Sequence, residues 1–126
     1  MSALKAIHTE DAPQAIGPYS QAITVDGWLF ISGQLGLNAQ GQMVPGDAAA
    51  QAEQALENLN SILGAAGSGS ARVVKTTIYL KDMNDFQKVN DVYARFFQEP
   101  FPARATVQVA ALPKGGLVEI DLIARL

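Results

Sequence analysis

The residues best equipped for chemistry lie in two runs near the C-terminal end. They are Phe101-Pro-Ala-Arg104-Ala-Thr106-Val-Gln108-Val109 and Leu117-Val-Glu119-Ile-Asp121-Leu-Ile-Ala124. From Arg104 to Val109 polar and apolar residues alternate, as in a β-strand with two unlike faces. Arg104, Thr106 and Gln108 share one side; Ala105, Val107 and Val109 share the other. In the second run Glu119 and Asp121 oppose Val118, Ile120, Leu122 and Ala124. Pro113-Lys-Gly-Gly116 between the runs reads as the turn of a hairpin. The expectation is one sheet face that presents Arg104, Thr106, Gln108 and Glu119, with Glu119 close to the turn and Arg104 far from it, so that a site using both would be shared between subunits. A guanidinium is a permanently charged, planar fork of donors that matches a carboxylate. A solvated charge or a surface ion pair is the plainer reading of such an arginine. The Pro100-Phe101-Pro102 lead-in, which restrains the chain before Arg104, and the acidic residues expected on the same face favour a functional one.

Three other places carry candidates. Tyr19 follows Gly17-Pro18 in a stretch without periodicity, so backbone constraint holds it rather than a regular element. The plain alternative is a tyrosine that covers the core with its hydroxyl in water. Ser32-Gly33 interrupts a strand pattern, which marks a bulge, a strand end or the close approach of a ligand to the backbone. Asn90 shares a helix face with Phe86 and Tyr93. A buried amide is costly without partners, so Asn90 either ties down a loop or belongs to a site.

Composition excludes several classes. The chain has 126 residues, no cysteine, one histidine and a formal net charge of -3. Disulfides, thiolate nucleophiles and cysteine metal sites are therefore ruled out. A Ser-His-Asp triad would have to use His8, which lies among Thr9, Glu10 and Asp11 with no nucleophile motif nearby. Phosphate backbones demand a basic patch, and the cations here are scattered through an acidic chain, which argues against nucleic acid as a partner. No apolar run approaches a membrane span, and the N-terminal segment lacks the apolar core of a signal peptide. A cytoplasmic protein is expected. Only 17% of residues are charged, which suggests that part of the surface is covered by other subunits.

The elements that must position these residues can be read in order. Residues 1–20 form an irregular arm. Ala22–Val25 and Trp28–Ile31 flank Asp26-Gly27, a strong two-residue hairpin signal. Asp47 caps a helix whose apolar stripe runs to Ala66, with Gln51, Gln54 and Asn58 on its outer face. Arg72–Leu80 is a strand. Asp82 caps a second helix, which Pro100 and Pro102 stop. The result is a single domain over residues 1–126, an α+β two-layer fold with a mixed β-sheet and both helices on one face. The other face carries Arg104, Thr106, Gln108 and Glu119 and faces neighbouring subunits.

The chain resembles the Rid (YjgF/L-PSP) family from end to end, within it most closely the RidA subfamily. Five motifs in order carry the likeness: Ala15-Ile-Gly-Pro-Tyr19-Ser-Gln-Ala22, Phe30-Ile-Ser-Gly-Gln34, Val89-Asn90-Asp-Val-Tyr93, Phe101-Pro-Ala-Arg104-Ala-Thr-Val-Gln-Val109, and Ala111-Leu-Pro-Lys114 with Val118-Glu119-Ile120. The resemblance implies a chorismate-mutase-like subunit in a homotrimer with three clefts between neighbours. It implies hydrolysis of 2-imino acids, such as 2-iminobutanoate and 2-iminopropanoate, to 2-oxo acids and ammonia. These substrates are released by pyridoxal-phosphate enzymes; the deaminase itself uses no cofactor and no metal. By the same resemblance Arg104 binds the substrate carboxylate and Glu119 positions water. Tyr19, Ser32, Gly33 and Asn90 match cleft-lining positions. Apart from the resemblance, the chemistry of an imine makes backbone groups near Gly33 and Thr106 candidates to hydrogen-bond the imine and the water. Many bacterial members carry cysteine where this chain has Thr106. Two further classes stay open: an endoribonuclease that inhibits translation, and a non-catalytic binder of small carboxylates or holdase.

Overall fold

The computed structural model describes residues 3–126. Six strands run β1 (Lys5–Ile7), β2 (Ala22–Val25), β3 (Trp28–Leu35), β4 (Val73–Leu80), β5 (Ala103–Gln108) and β6 (Val118–Arg125). Two helices, α1 (Ala48–Ala65) and α2 (Phe86–Phe96), join them. The strands form one sheet in the order β1-β2-β3-β6-β4-β5, antiparallel except for the β4–β5 pair. This is the expected α+β architecture, with both helices against the same face.

Local chemistry explains most elements. Asp26 and Gly27 both take positive φ, 52° and 81°, as the hairpin between β2 and β3 needs. The Asp47 carboxylate accepts from the Ala50 amide and starts α1. The small residues Ala48, Ala52 and Ala55 let α1 lie close to the sheet, where it buries Leu56, Leu59 and Ile62 against Leu29, Ile78, Ile120 and Leu122. Each such side chain contributes about 1.5–3 kcal/mol when removed from water.

Four expectations are corrected. The arm is not wholly irregular: Lys5–Ile7 pairs with Ala22–Thr24 as an edge strand, and the arm's first two residues lie outside the described ones. Three residues are too few for an alternation signal. Asp82 caps a short 3-10 turn, Met83–Asp85, rather than α2, which begins at Phe86. Gln51 and Asn58 are buried, not outward. The Asn58 amide donates to the Leu35 and Leu37 carbonyls, and the Gln51 carbonyl oxygen accepts from the Leu117 amide. These bonds satisfy loop backbone that burial would otherwise leave unpaired.

The largest correction concerns the last two strands. They are not hairpin partners, because β4 lies between them. Arg104 stands beside Thr76 and Thr106 beside Ile78. Thr76 and Ile78 point into the helix-covered core. Arg104, Thr106 and Gln108 therefore take the helix side of β5. Glu119 and Asp121 pair with Tyr79 and Thr77 on the opposite, open side. That open face carries Ala103, Ala105 and Val107 instead, together with Phe30 and Trp28; Val107, Phe30 and Trp28 are more than 40% exposed.

Candidate functional site

The predicted site residues fall into two clusters. The first lies between α2 and β5. The guanidinium of Arg104 rests 4.8 Å from the centre of the Tyr93 ring and 5.6 Å from that of Phe86. Cation–π attraction and the flat ring surfaces fix the fork without consuming its donors. Among the described residues Arg104 makes no ion pair. A cleft of about 290 Å³ opens beside it, lined by Asn90, Tyr93, Ala94, Phe101, Pro102 and Arg104. The amide of Asn90 makes no hydrogen bond to a loop among the described residues, so it faces the cleft rather than tying down a neighbour. Tyr93 is itself anchored: its hydroxyl and the buried Thr76 hydroxyl share a hydrogen bond of 2.8 Å. Burial pushes the Tyr93 phenol up, against smaller opposite effects of Thr76 and the Arg104 charge. On the same strand side, the Thr106 hydroxyl oxygen is buried with no hydrogen-bond partner among the described residues. Buried hydroxyls are nearly always paired, so this atom is available to a further donor or acceptor.

The second cluster lies at the far end of the sheet, where β3 bulges between Ile31 and Gln34. The bulge brings the Gly33 backbone over Glu119. A Cβ added at Gly33 would sit 2.8 Å from the Glu119 carboxyl carbon. A cleft of about 400 Å³ there is lined by Tyr19, Gly33, Gln34, Leu37, Lys114 and Glu119, among others. Burial, and then the charge of Asp121, push the Glu119 carboxyl above its ordinary range. Among the described residues Glu119 receives no hydrogen bond from the protein. Tyr19 is held at the rim: its hydroxyl accepts from the Ile16 amide at 3.2 Å, and its own amide donates to Gly17. The Ser32 hydroxyl does not enter the cleft. It donates to the Ser20 carbonyl at 2.6 Å and so ties β3 to the arm that carries Tyr19. The arm is further secured by buried Gln21, which donates to the Thr9 and Pro13 carbonyls.

The structure thus brings Tyr19, Gly33 and Glu119 together, and separately Asn90 and Arg104. It does not bring the two sets together within one chain. Sequence reading missed the aromatic bed of Arg104. Its signal was present, since Phe86, Asn90 and Tyr93 share one helix face, yet aromatic residues at that spacing read equally as core. Lys114, which takes φ 57° between Pro113 and Gly115, also lines the Glu119 cleft unannounced. No cluster of metal-ligating side chains occurs among the described residues.

Comparison with known proteins agrees with this architecture. The family model described as Endoribonuclease L-PSP matches residues 9–126. The 2-iminobutanoate/2-iminopropanoate deaminase of Bos taurus is 60% identical over 121 residues, covering 95% of this chain and 88% of the relative. The crystal structure of RidA from the Antarctic bacterium Psychrobacter sp. PAMC 21119 superposes with a TM-score of 0.93 at 47% identity, covering 97% of this chain and 99% of that one. E. coli TdcF, solved with bound serine, superposes with a TM-score of 0.91 at 42% identity, covering 97% and 98%.

A six-stranded mixed sheet with two helices on one face and this strand order is the YjgF-type α+β subunit. The chain belongs to the Rid (YjgF/L-PSP) family.

Proposed function

We propose that this chain is a deaminase of reactive 2-imino acids, including 2-iminobutanoate and 2-iminopropanoate, which it hydrolyses to 2-oxo acids and ammonia. The deaminase name on mammalian relatives 53–60% identical to this chain supports the activity. The serine bound to TdcF supports a small amino-acid-like ligand. The observation that carries the reading here is Arg104: a guanidinium braced by two aromatic rings, unpaired by any acid among the described residues, facing a cleft of small-ligand size.

In the reaction Arg104 holds the substrate carboxylate by a two-point pair. Water adds to the carbon of the protonated C=N bond while Glu119 takes the proton that water loses. Glu119 then returns that proton to the nitrogen of the carbinolamine, ammonia leaves as the C–N bond breaks, and the hydroxyl gives up its proton to Glu119 as the carbon becomes the carbonyl of the 2-oxo acid. A protonated imine is already electrophilic, so positioning of water matters more than strong activation. A general base of this kind contributes about 10²–10⁴-fold. Asn90, Tyr19 and the backbone at Gly33 and Thr106 complete the cleft.

Arg104 and Glu119 occupy opposite faces of one sheet, so a site that uses both draws them from two copies of the chain. A homotrimer meets that requirement. The apolar open face, with Phe30, Trp28 and Val107 exposed, is the surface it would bury. The whole chain acts as one domain. Its substrates come from pyridoxal-phosphate enzymes, and its place is the cytoplasm; among the described residues no helix is long and apolar enough to cross a membrane. An acidic chain with net charge -3 offers phosphate backbones little, which disfavours the endoribonuclease reading.

The test is competition for an imine. A dehydratase generates 2-iminobutanoate, semicarbazide traps it, and the purified chain is added. Suppressed semicarbazone formation with wild type but not with Arg104→Ala supports the reading. No suppression by wild type rejects it in favour of a non-catalytic binder.

A further inference from the structure

Beside Glu119 on the open face of the sheet lies a feature that the reaction above does not use. On β6, Glu119 and Asp121 point to the same open face. The register sets Tyr79 of β4 directly across from Glu119 and Thr77 across from Asp121. A cross-strand tyrosine is well placed to serve its direct partner. The Tyr79 hydroxyl instead reaches diagonally and donates to Asp121 Oδ2 at 3.0 Å. Diagonal neighbours on a sheet lie within reach of long side chains. Glu119, pressed from the β3 side by the Gly33 backbone, is left without a protein donor among the described residues.

We propose that Tyr79 and Asp121 form a positioning pair for Glu119: the Tyr79 hydroxyl fixes a second acidic side chain beside Glu119 and leaves both Glu119 oxygens free for water. This rests on the reading of Glu119 as the acid that handles the attacking water. The arrangement makes Glu119 a better proton acceptor in two ways. A hydrogen bond donated to a carboxylate stabilises its anion and weakens it as a base, and here that donor is directed to Asp121. A neighbouring negative charge disfavours the anion further. Burial and Asp121 together raise the Glu119 carboxyl, in that order of size. Tyr79 remains a donor near neutrality, because burial and the bond to Asp121 both raise its phenol. Tyr19 from the arm and Lys114 from the turn before β6 line the same cleft, and in the two-copy site proposed above the Arg104 guanidinium of a neighbouring copy faces it as well, in wild type and in the variants alike.

The test uses the full chain and the pH dependence of kcat/KM for 2-iminobutanoate. Asp121→Asn keeps an acceptor for Tyr79 but removes the charge. It moves the acid limb of the profile down by roughly half to one pH unit and lowers the plateau several-fold. Asp121→Glu restores the limb. Tyr79→Phe frees Asp121 to move and lowers kcat several-fold with KM unchanged. A role confined to holding the sheet together predicts lower unfolding midpoints with the limb unmoved, and that result overturns the proposal. Glu119→Gln separates the two levels of the argument. If it retains activity, the reading of Glu119 itself fails and the pair falls with it. If it is inactive while Asp121→Asn leaves the limb in place, only the positioning pair is overturned. Direct carbon-13 titration of the Glu119 carboxyl gives the same answer should a variant be too slow to assay: a downward shift in Asp121→Asn supports the pair, and no shift overturns it.

Discussion

Arg104 and Glu119 stand on opposite faces of the same sheet, two strands apart. Arg104 lies in the row of Thr76 and Leu122, which point into the core, and Glu119 lies in the row of Tyr79 on the open side. Each has its own cleft, and the two clefts differ in charge: one centred on a guanidinium, the other on an acid. Assembly is therefore part of the proposed chemistry.

Arg104→Lys should lose activity by about 10–100-fold, since a point charge forfeits one of two charge-assisted bonds and stacks poorly on Tyr93. Arg104→Ala should lose more. Steady-state rates with the trapped-imine assay measure both. Near-full activity of the lysine variant would remove the two-point clamp from the mechanism.

Gly33→Ala separates the position of Glu119 from stability. The added Cβ meets the far end of a flexible side chain, 2.8 Å from the carboxyl carbon, rather than backbone. Glu119 can swing away, so the unfolding midpoint should change little. Its carboxylate would leave its place in the cleft, and kcat should fall about 10-fold or more. Equal kcat in the variant would show that this placement is unimportant.

Glu119→Gln should make the protein more stable near neutrality and leave it unchanged in acid. The Glu119 carboxyl is raised in the folded state, so the folded form binds its proton more tightly than the unfolded chain does. Below the ordinary carboxylate range both states are protonated and the group contributes nothing. As pH rises through the window between the unfolded and the raised folded value, ionisation opposes folding. Thermal unfolding of wild type and variant at about pH 4 and about pH 8 checks the sign. A variant less stable than wild type at the higher pH contradicts it.

Tyr93→Phe should cost about 1–3 kcal/mol, because it strands the buried Thr76 hydroxyl that now shares a 2.8 Å hydrogen bond. The ring under Arg104 is preserved, so activity should stay within a few-fold of wild type. Urea unfolding at one fixed protein concentration, paired with the imine assay, reads both. A large loss of activity with little loss of stability would instead assign the phenol a role in the cleft.

Individual elements show what could be read early. The β2–β3 hairpin was legible from Asp26-Gly27, because few residues other than this pair accept two positive φ angles in succession. The helix α1 was legible from Asp47 and the apolar stripe behind it. The edge strand Lys5–Ile7 was not, because its pairing with β2 depends on backbone bonds that residue types scarcely influence. Gln51 and Asn58 were misread as outward because polarity normally marks the wet side of a helix. Here loop backbone supplies their partners.

The sequence by itself determined which residues carry charge, which alternate within each strand, and that Arg104, Glu119, Tyr19, Gly33 and Asn90 merit attention. Alternation has a period of two and says which neighbours share a face, but it is blind to which face of the sheet that is. That choice was made only when β5 docked beside β4 and β6 took the other side of it. Strand order comes from long-range pairing and from the burial of Ile78, Ile120 and Leu122 under α1 and α2. The tertiary structure accordingly parted the arginine from the acid, seated the one on Tyr93 and Phe86, and set the other between Gly33 and Asp121.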